Sequence, residues 1–363
     1  MPPDAPDFYA PFRSLPKGSR ILLAFSGGVD SAVAAVLAIR AGYQVTGVHM
    51  TLLPGGEDSR QKAEETAAEL GIEMIHADCS KEFESAVLRP SWEMFKSGFT
   101  PNPCAICNPK VKFGALMPLM EQHGCAAFAT GHYAKVIDAS DGETVLARGY
   151  YREKVQSYFL FGLSQEQLAR VIFPLGGMTK PEVREIAREL GLPNAESKES
   201  QDACFMPPDQ TAAEFLHGLF GETVPGGTFA AASDGRILGR HDGIYAYTIG
   251  QRKGTGMAMG VPAWVSRIDA IENKVWLTTD PDDLLRDSIV LPYAHWISKP
   301  AEAVEFRAQV QIRYRSRPAD ASVLLSPNGV VFIKFDAPQR AVTPGQAAVI
   351  YDGERLLGGG WIP

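Results

Sequence analysis

The feature that most restricts the fold is a short apolar run at residues 20–25 (RILLAF), followed at once by Ser26-Gly27-Gly28-Val29-Asp30-Ser31 and a helix-prone stretch over 30–41. An apolar run of this length, bounded by turn residues, reads as a strand buried on both faces. A strand that feeds a helix through a glycine turn opens a βα unit, and such units require a parallel sheet covered by helices. The turn also carries chemistry. Gly27 and Gly28 let backbone N–H groups approach phosphate oxygens closely, and the following helix adds its favourable N-terminal dipole. Ser26 and Ser31 bring hydroxyl donors, and Asp30 brings a carboxylate suited to a Mg²⁺ that bridges phosphates. No G-K-[ST] follows the glycines, so this is not a Walker A loop.

The same rhythm continues downstream. Residues 44–50 (QVTGVHM) read as a second strand, 59–70 as a helix stopped by Gly71, 72–77 as a third strand and 126–130 (AAFAT) as a fourth. A nucleotide site at the carboxyl ends of such strands would place Met50 and Gly131 beside the loop. The stretch 180–190 reads as a helix, with Thr179 as N-cap, Glu182 completing a capping box, and Gly191 and Pro193 ending it. From about residue 222 the pattern changes to short β-prone runs separated by Pro225-Gly226-Gly227, Asp234-Gly235, Asp242-Gly243, Pro327-Asn328-Gly329 and Asp352-Gly353. Small antiparallel barrels or sandwiches have this signature; the run 280–287 reads as a connector among them. The expected architecture is therefore α/β. A doubly wound parallel sheet occupies 1–210, and its Ser26–Ser31 turn resembles the pyrophosphate loop of enzymes that split ATP to AMP and pyrophosphate and adenylate a carbonyl-type oxygen. Two small, mostly β modules follow, a central one at 211–278 and a β-barrel at 279–363.

Hydrophobic residues make up 45% of the 363-residue chain and charged residues 21%, enough apolar material for sizeable cores. The first 18 residues hold Asp4, Asp7 and several prolines, so neither a signal nor a transit peptide is expected. The longest apolar run, 32–39, is far short of the roughly 18 residues of a membrane span. A cytoplasmic protein with no membrane partner is expected, its five cysteines reduced and better suited to catalysis or metal binding than to a disulfide scaffold. A net charge of −7 argues against indiscriminate nucleic-acid binding while leaving room for a local basic surface.

Cys104 and Cys107 lie in a proline-stiffened segment, TPNPCAICN, expected as a loop, and Cys204 lies in SQDACF after the helix stop. Polar loops of this kind are where reactive thiols and metal ligands are found, whereas Cys79 and Cys125 read as inert, partly buried thiols. A structural zinc site needs four ligands, and no second C-x-x-C or H-x₃-H is present. Two readings stay open. In one, a thiol carries a transferable sulfur as a persulfide and another resolves the resulting disulfide. In the other, Cys104, Cys107 and Cys204 hold a [4Fe–4S] cluster with one iron left open.

SGGVDS, TPNPCAICNPKVKF, ATGHYA, QSYFL, SQDACFM, TIGQRKGTG, IRYR and AVTPGQAAVIYDGERLLGGGWI occur in order from residue 26 to residue 362. Together they resemble the MnmA family, the bacterial tRNA-specific 2-thiouridylases. The resemblance implies an ATP-dependent sulfurtransferase that adenylates O2 of the wobble uridine of tRNA and replaces that oxygen with sulfur from a cysteine persulfide. It implies ATP contacts from Ala24, Phe25, Ser26, Gly27, Gly28, Val29, Asp30, Ser31, Met50 and Gly131. It implies Cys107 as nucleophile or resolving thiol and Cys204 as persulfide carrier. Asn102, Pro103 and Cys104 would meet the target base, while His132, Lys154, Val155, Gln156, Arg313, Tyr314 and Gln346 would contact the tRNA. A cysteine desulfurase or sulfur-relay protein would deliver the sulfur. A small-molecule amidating ligase with the same loop is the competing enzyme class; an RNA-binding sulfur carrier with a vestigial ATP site is the non-enzymatic one.

Residues 306–318 carry Arg307, Arg313, Arg315 and Arg317 and no acidic residue. On a strand, the last three would share a face beside Tyr314 and form a phosphate-binding stripe. The loop GQRKGTG at 250–256 offers a second basic element. Two positions depart from the family pattern. Cys104 stands where many members carry Asp, which favours the cluster reading, and Val155 stands where a polar residue is common.

Overall fold

The computed structural model describes residues 9–12, 15–138, 143–192, 195–196, 203–207, 209–298 and 305–363. Pro193 and the Ser200-Gln201-Asp202 part of the third cysteine's motif lie outside these residues.

Strand β1 (Arg20–Ala24) is buried along its centre and leads through the glycine turn into α1 (Val29–Arg40). Residues Ser31 through Ala38 of α1 are all buried, because small and aliphatic side chains surround the helix on every side. Then come β2 (Gln44–Thr51), α2 (Glu57–Glu69) and β3 (Glu73–Asp78). A helical excursion separates β3 from β4 (Ala127–Ala129), and β7 (Val171–Ile172) completes a parallel sheet ordered β3-β2-β1-β4-β7. The order reverses at β1, whose neighbours are β2 on one side and β4 on the other. The crevice outside the carboxyl ends of β1 and β4 is thus the topological switch point, where open α/β sheets bind ligands. The helix Lys180–Glu189 has the expected reciprocal capping box between Thr179 and Glu182.

The central module is a four-stranded sheet of β8 (Gly227–Ala231), β9 (Ile237–His241), β10 (Trp264–Asp269) and β11 (Lys274–Thr278), ordered β10-β11-β8-β9. It is not wholly antiparallel as its turn signals suggest, because β8 and β11 pair in parallel through its middle.

The last module is an antiparallel sheet of β12 (Leu285–Leu291), β13 (His295–Trp296), β14 (Glu305–Gln311), β15 (Ala319–Leu325), β16 (Val331–Arg340), β17 (Ala347–Asp352) and β18 (Arg355–Trp361). A short connection carries β12 into β13, which pairs with β18 and curls the sheet into a barrel around Val310, Val323, Ile333 and Ile350. The run 280–287 is only partly a connector: Pro281–Leu284 forms a 3₁₀ turn and Leu285 already begins β12. A hairpin of β5 (Ala134–Asp138) and β6 (Thr144–Arg148) leaves the N-terminal region and joins this sheet where β6 meets β18. The barrel is therefore stitched to the segment that directly follows the β4 end of the switch point. Among the described residues no helix is long and apolar enough to cross a membrane.

Candidate nucleotide and sulfur-transfer site

The loop between β1 and α1 is shaped by its glycines. Gly27 has φ +70°, and a Cβ there would lie 2.7 Å from the Cα of Ala63 on α2, so loop and helix meet backbone to backbone. Gly131, just beyond β4, packs on the start of α1, where a Cβ would sit 3.2 Å from Asp30. Ser31 Oγ donates to the carbonyl of Gly28 at 2.9 Å, and the Ser26 and Ser31 hydroxyls are 3.3 Å apart. No side chain caps α1, so its first N–H groups remain available to an anion.

A cavity of about 520 Å³ opens here, within the range of about 300–1,000 Å³ typical of cofactor sites. Ala24, Phe25, Ser26, Asp30 and Ser31 line it from the β1 end, Met50 from the β2 end, and Gly131 and His132 from the β4 end. Gln156, Lys112 and Cys204 complete the wall. Asp30 is not a lone carboxylate. Its Oδ1 accepts from Lys180 Nζ at 2.6 Å and from the Tyr133 hydroxyl at 2.7 Å, and its side chain remains 39% exposed. His132 is buried, its Nδ1 lies 2.7 Å from Thr130 Oγ1, and burial and then the nearby Lys112 charge keep the ring neutral, far below its ordinary pKa.

The segment of Cys104 and Cys107 is a helix, Pro103–Cys107, rather than the expected loop. Asn102 caps it by accepting from the N–H of Ala105 at 3.1 Å, and Pro103 takes the first helical position, where no N–H is needed. The chain continues as a π-helical turn, Asn108–Lys112. Cys104 is half-buried and Cys107 is only 8% exposed. Burial pushes the Cys104 thiol up to about 11 and the Cys107 thiol up to about 12. Cys204 is exposed on the cavity wall, where the neighbouring Phe205 anchors it by packing edge-on against Phe83. The three thiols are close enough for their charges to act on one another. All three are free, and among the described residues no group of three His, Cys, Asp or Glu side chains is arranged to hold a metal ion.

The arginine stripe does not form. Strand β14 ends at Gln311, whose Nε2 donates to the carbonyls of Arg313, Tyr314 and Ser316 and folds the following residues into a turn. Arg307 instead pairs with Asp336 across the sheet. The Arg313 guanidinium turns inward to the carbonyls of Ile249 and Ala341 and to Thr343 Oγ1, tying the central module to the barrel. Gln346 likewise reaches across to the carbonyls of Thr100 and Pro101, at 2.8 and 3.3 Å, immediately before the cysteine helix. Tyr314 packs against Phe159, with ring centres 4.2 Å apart and planes tilted by 38°. Lys154 and Val155 lie half-buried at a 3₁₀ turn, and Gln156 accepts from the N–H of Tyr133 at 3.0 Å.

Sequence reasoning missed Lys180 and Lys112. Lys180 hides inside the capping box that marks its helix, and its partner is 150 residues away. Lys112 lies within the conspicuous cysteine motif, but nothing local shows that it faces the cavity.

A glycine loop at the switch point of a parallel sheet, with a cofactor-sized cavity and thiols on its wall, defines a nucleotide-using enzyme of the pyrophosphate-loop class. The family model described as "tRNA methyl transferase HUP domain" matches residues 19–208, "tRNA methyl transferase PRC-barrel domain" matches 213–279, and "Aminomethyltransferase beta-barrel domain" matches 286–362. The chain is 43% identical to the tRNA-specific 2-thiouridylase MnmA of Syntrophotalea carbinolica, over 95% of this chain and 99% of that one. It is 43% identical to the MnmA of Acidithiobacillus ferrooxidans, over 94% and 98%. The chain belongs to the tRNA-specific 2-thiouridylase family. Among solved structures, a 4-thiouridine synthetase–RNA complex with bound ATP is similar at 23% identity and a TM-score of 0.36, over 54% of this chain and 47% of that one.

Proposed function

We propose that this chain is an ATP-dependent tRNA-uridine 2-sulfurtransferase in which Cys204 carries the sulfur as a persulfide and Cys107 resolves the disulfide. The observation that carries the reading is the opening of Cys204 into the same cavity as Ser26, Ser31 and Asp30. Uridine O2 is a poor leaving group until it is adenylated. Its lone pair attacks the α-phosphorus of ATP, the bond to the β-phosphate breaks, and pyrophosphate leaves with the electron pair while the N3 proton is lost. The terminal sulfur of the Cys204 persulfide then attacks C2, and AMP departs with the former O2. The Cys107 thiol, giving up its proton, attacks the inner sulfur. The S–S bond breaks, 2-thiouridine is released, and a Cys107–Cys204 disulfide remains for an external thiol to reduce.

In this reading the free N–H groups of α1 hold the terminal phosphates, and Asp30 supplies a carboxylate to Mg²⁺, a divalent charge that would offset the developing negative charge on pyrophosphate. Asn102, Pro103 and Cys104 border the place of the flipped uridine. The exposed position of Cys204 suits loading by a desulfurase or sulfur-relay protein in the cytoplasm. Function divides along the chain as 1–210 for catalysis, 211–278 as a central module and 279–363 for tRNA contact. The inward-facing Arg313 and Gln346 support a tRNA role exerted partly through domain positioning.

The test is tRNA-dependent pyrophosphate release with a persulfide donor, combined with nucleoside analysis of the product. Cys107→Ser and Cys204→Ser are expected to keep pyrophosphate release and to lose 2-thiouridine. Normal thiolation in both variants would refute the assignment.

A second reading, in which Cys104, Cys107 and Cys204 hold a [4Fe–4S] cluster that presents sulfide at an open iron, is favoured by Cys104 in place of Asp. Their arrangement does not fit metal binding. Iron and sulfide analysis after anaerobic purification decides between the two: a cluster-free protein that thiolates normally excludes this one.

A further inference from the structure

We propose that Lys112 is a further catalytic residue, which binds the α-phosphate of ATP and holds it through adenylation and AMP release. Lys112 is the only lysine or arginine lining the cavity among the described residues. It is half-buried, and among those residues it has no ion-pair partner. The other cation at the site, Lys180, is already committed to Asp30. A half-buried lysine with no carboxylate partner among the described residues, at the wall of this cavity, is suited to pair with a phosphate oxygen.

Sheet order indicates which phosphate. The strands run β2-β1-β4, so the glycine loop is central, with Met50 on one side and Gly131 and His132 on the other. Lys112 lies on the β4 side, since its charge acts on His132, and it follows Cys107 in the π-helical turn. An adenine at Met50 and terminal phosphates on the loop leave the α-phosphorus to face this wall, where it meets the uridine oxygen. Negative charge builds on the α-phosphoryl oxygens as the O2–P bond forms and the bond to pyrophosphate breaks, and a fixed cation there lowers that barrier. His132 cannot supply the charge, because its ring is held neutral by burial and by Lys112 itself.

The inference deepens the proposed function and rests on it for the reaction, but its binding consequence stands without tRNA. The experiment measures the affinity of the full chain for AMP, ATP and inorganic pyrophosphate by titration calorimetry, in wild type, Lys112→Met, Lys112→Gln and Lys112→Arg. Loss of a charged hydrogen bond predicts AMP and ATP binding weakened by roughly ten- to a hundredfold in Lys112→Met and Lys112→Gln, with pyrophosphate within about twofold of wild type. Lys112→Arg, which keeps the charge, stays within about threefold for all three ligands. Unchanged thermal unfolding shows that each variant is folded, and tRNA-dependent pyrophosphate release is expected to fall by roughly 10²- to 10³-fold in Lys112→Met. Unaltered AMP affinity in Lys112→Met, or an equal loss for pyrophosphate, would overturn the assignment. Wild type that binds AMP through Lys112 but releases no pyrophosphate with tRNA would overturn the proposed function instead.

Discussion

The ammonium of Lys180 lies 2.6 Å from Oδ1 of Asp30, and the Tyr133 hydroxyl reaches the same oxygen at 2.7 Å. Lys180 is the first residue of its helix and is buried, so the pair fixes the start of α1 against an element 150 residues away. Removing the lysine leaves a carboxylate only partly open to water. Because Asp30 keeps 39% of its surface, Lys180→Met is expected to cost about 1–3 kcal/mol, below the range for fully buried pairs. Tyr133→Phe removes one further hydrogen bond and is expected to cost about 1 kcal/mol. Thermal unfolding measures both, and ATP titration checks that Lys180→Met also weakens nucleotide binding. A Lys180→Met protein of wild-type stability and ATP affinity would show the pair to be incidental.

The glycine loop makes a stricter prediction. At Gly27 the backbone has φ +70°, and an added Cβ meets the Cα and N of Ala63 at 2.7 and 2.8 Å. Neither atom is the end of a flexible side chain, so loop and α2 must separate. Gly27→Ala is expected to abolish detectable ATP binding and to lower stability by at least about 1 kcal/mol. Ala63→Gly, which leaves the offending backbone atoms in place, does not rescue it. Calorimetric titration of the double variant is the check, and recovered binding would contradict the steric account.

Local rules made the N-terminal half readable. A doubly buried strand must be apolar at every position, α1 must be apolar all round, and the Thr179–Glu182 box is a reciprocal pair three residues apart. The failures are long-range. Nothing near β6 says that it will pair with β18, two hundred residues on. The arginines of 313–317 have the spacing of a strand face, but the single amide of Gln311 captures three carbonyls and ends the strand. The cysteine helix was hidden by its own prolines, because Pro103 at a helix start looks in sequence like Pro in a loop. For the site, the loop and the thiols were legible as motifs. Lys112 and Lys180 were not, since what distinguishes them is the cavity or carboxylate they face.

Glu222 gives a pH test of the join between the N-terminal region and the central module. It accepts from Lys96 Nζ at 2.6 Å, from Trp92 Nε1 at 2.9 Å and from Arg89 at 2.5 Å. Lys96 first, then Trp92 and Arg89, hold its carboxyl down to about 2 from an ordinary value of 4.5. A depressed folded-state value stabilises the protein above the unfolded value, and that stability disappears as pH falls through the folded one. Glu222→Gln is therefore expected to lower the unfolding temperature at pH 7, with the gap from wild type shrinking between pH 4.5 and about 2. A gap that persists undiminished at pH 2 would mean that the contacts matter through packing alone.

The cysteines differ in a way that alkylation can resolve. Cys204 is exposed on the cavity wall, whereas Cys107 is 8% exposed with its thiol pushed up to about 12 by burial, against which the Lys112 ammonium and backbone N–H pull only part of the way down. The thiolate is the reacting form, so a raised value keeps Cys107 protonated near neutrality. With the free protein at pH 8, iodoacetamide is expected to modify Cys204 first and Cys107 at least about 100-fold more slowly. The Cys107 rate should climb about tenfold per pH unit up to pH 10, since each unit multiplies the thiolate fraction by ten while pH stays below the folded-state value. Cys104, pushed up to about 11 and half-buried, should fall between the two. Site-resolved mass spectrometry of timed samples reads all three rates. Equal rates at Cys107 and Cys204 would mean that the cysteine helix opens freely in solution, and the division into an accessible carrier and a protected resolving thiol would fail.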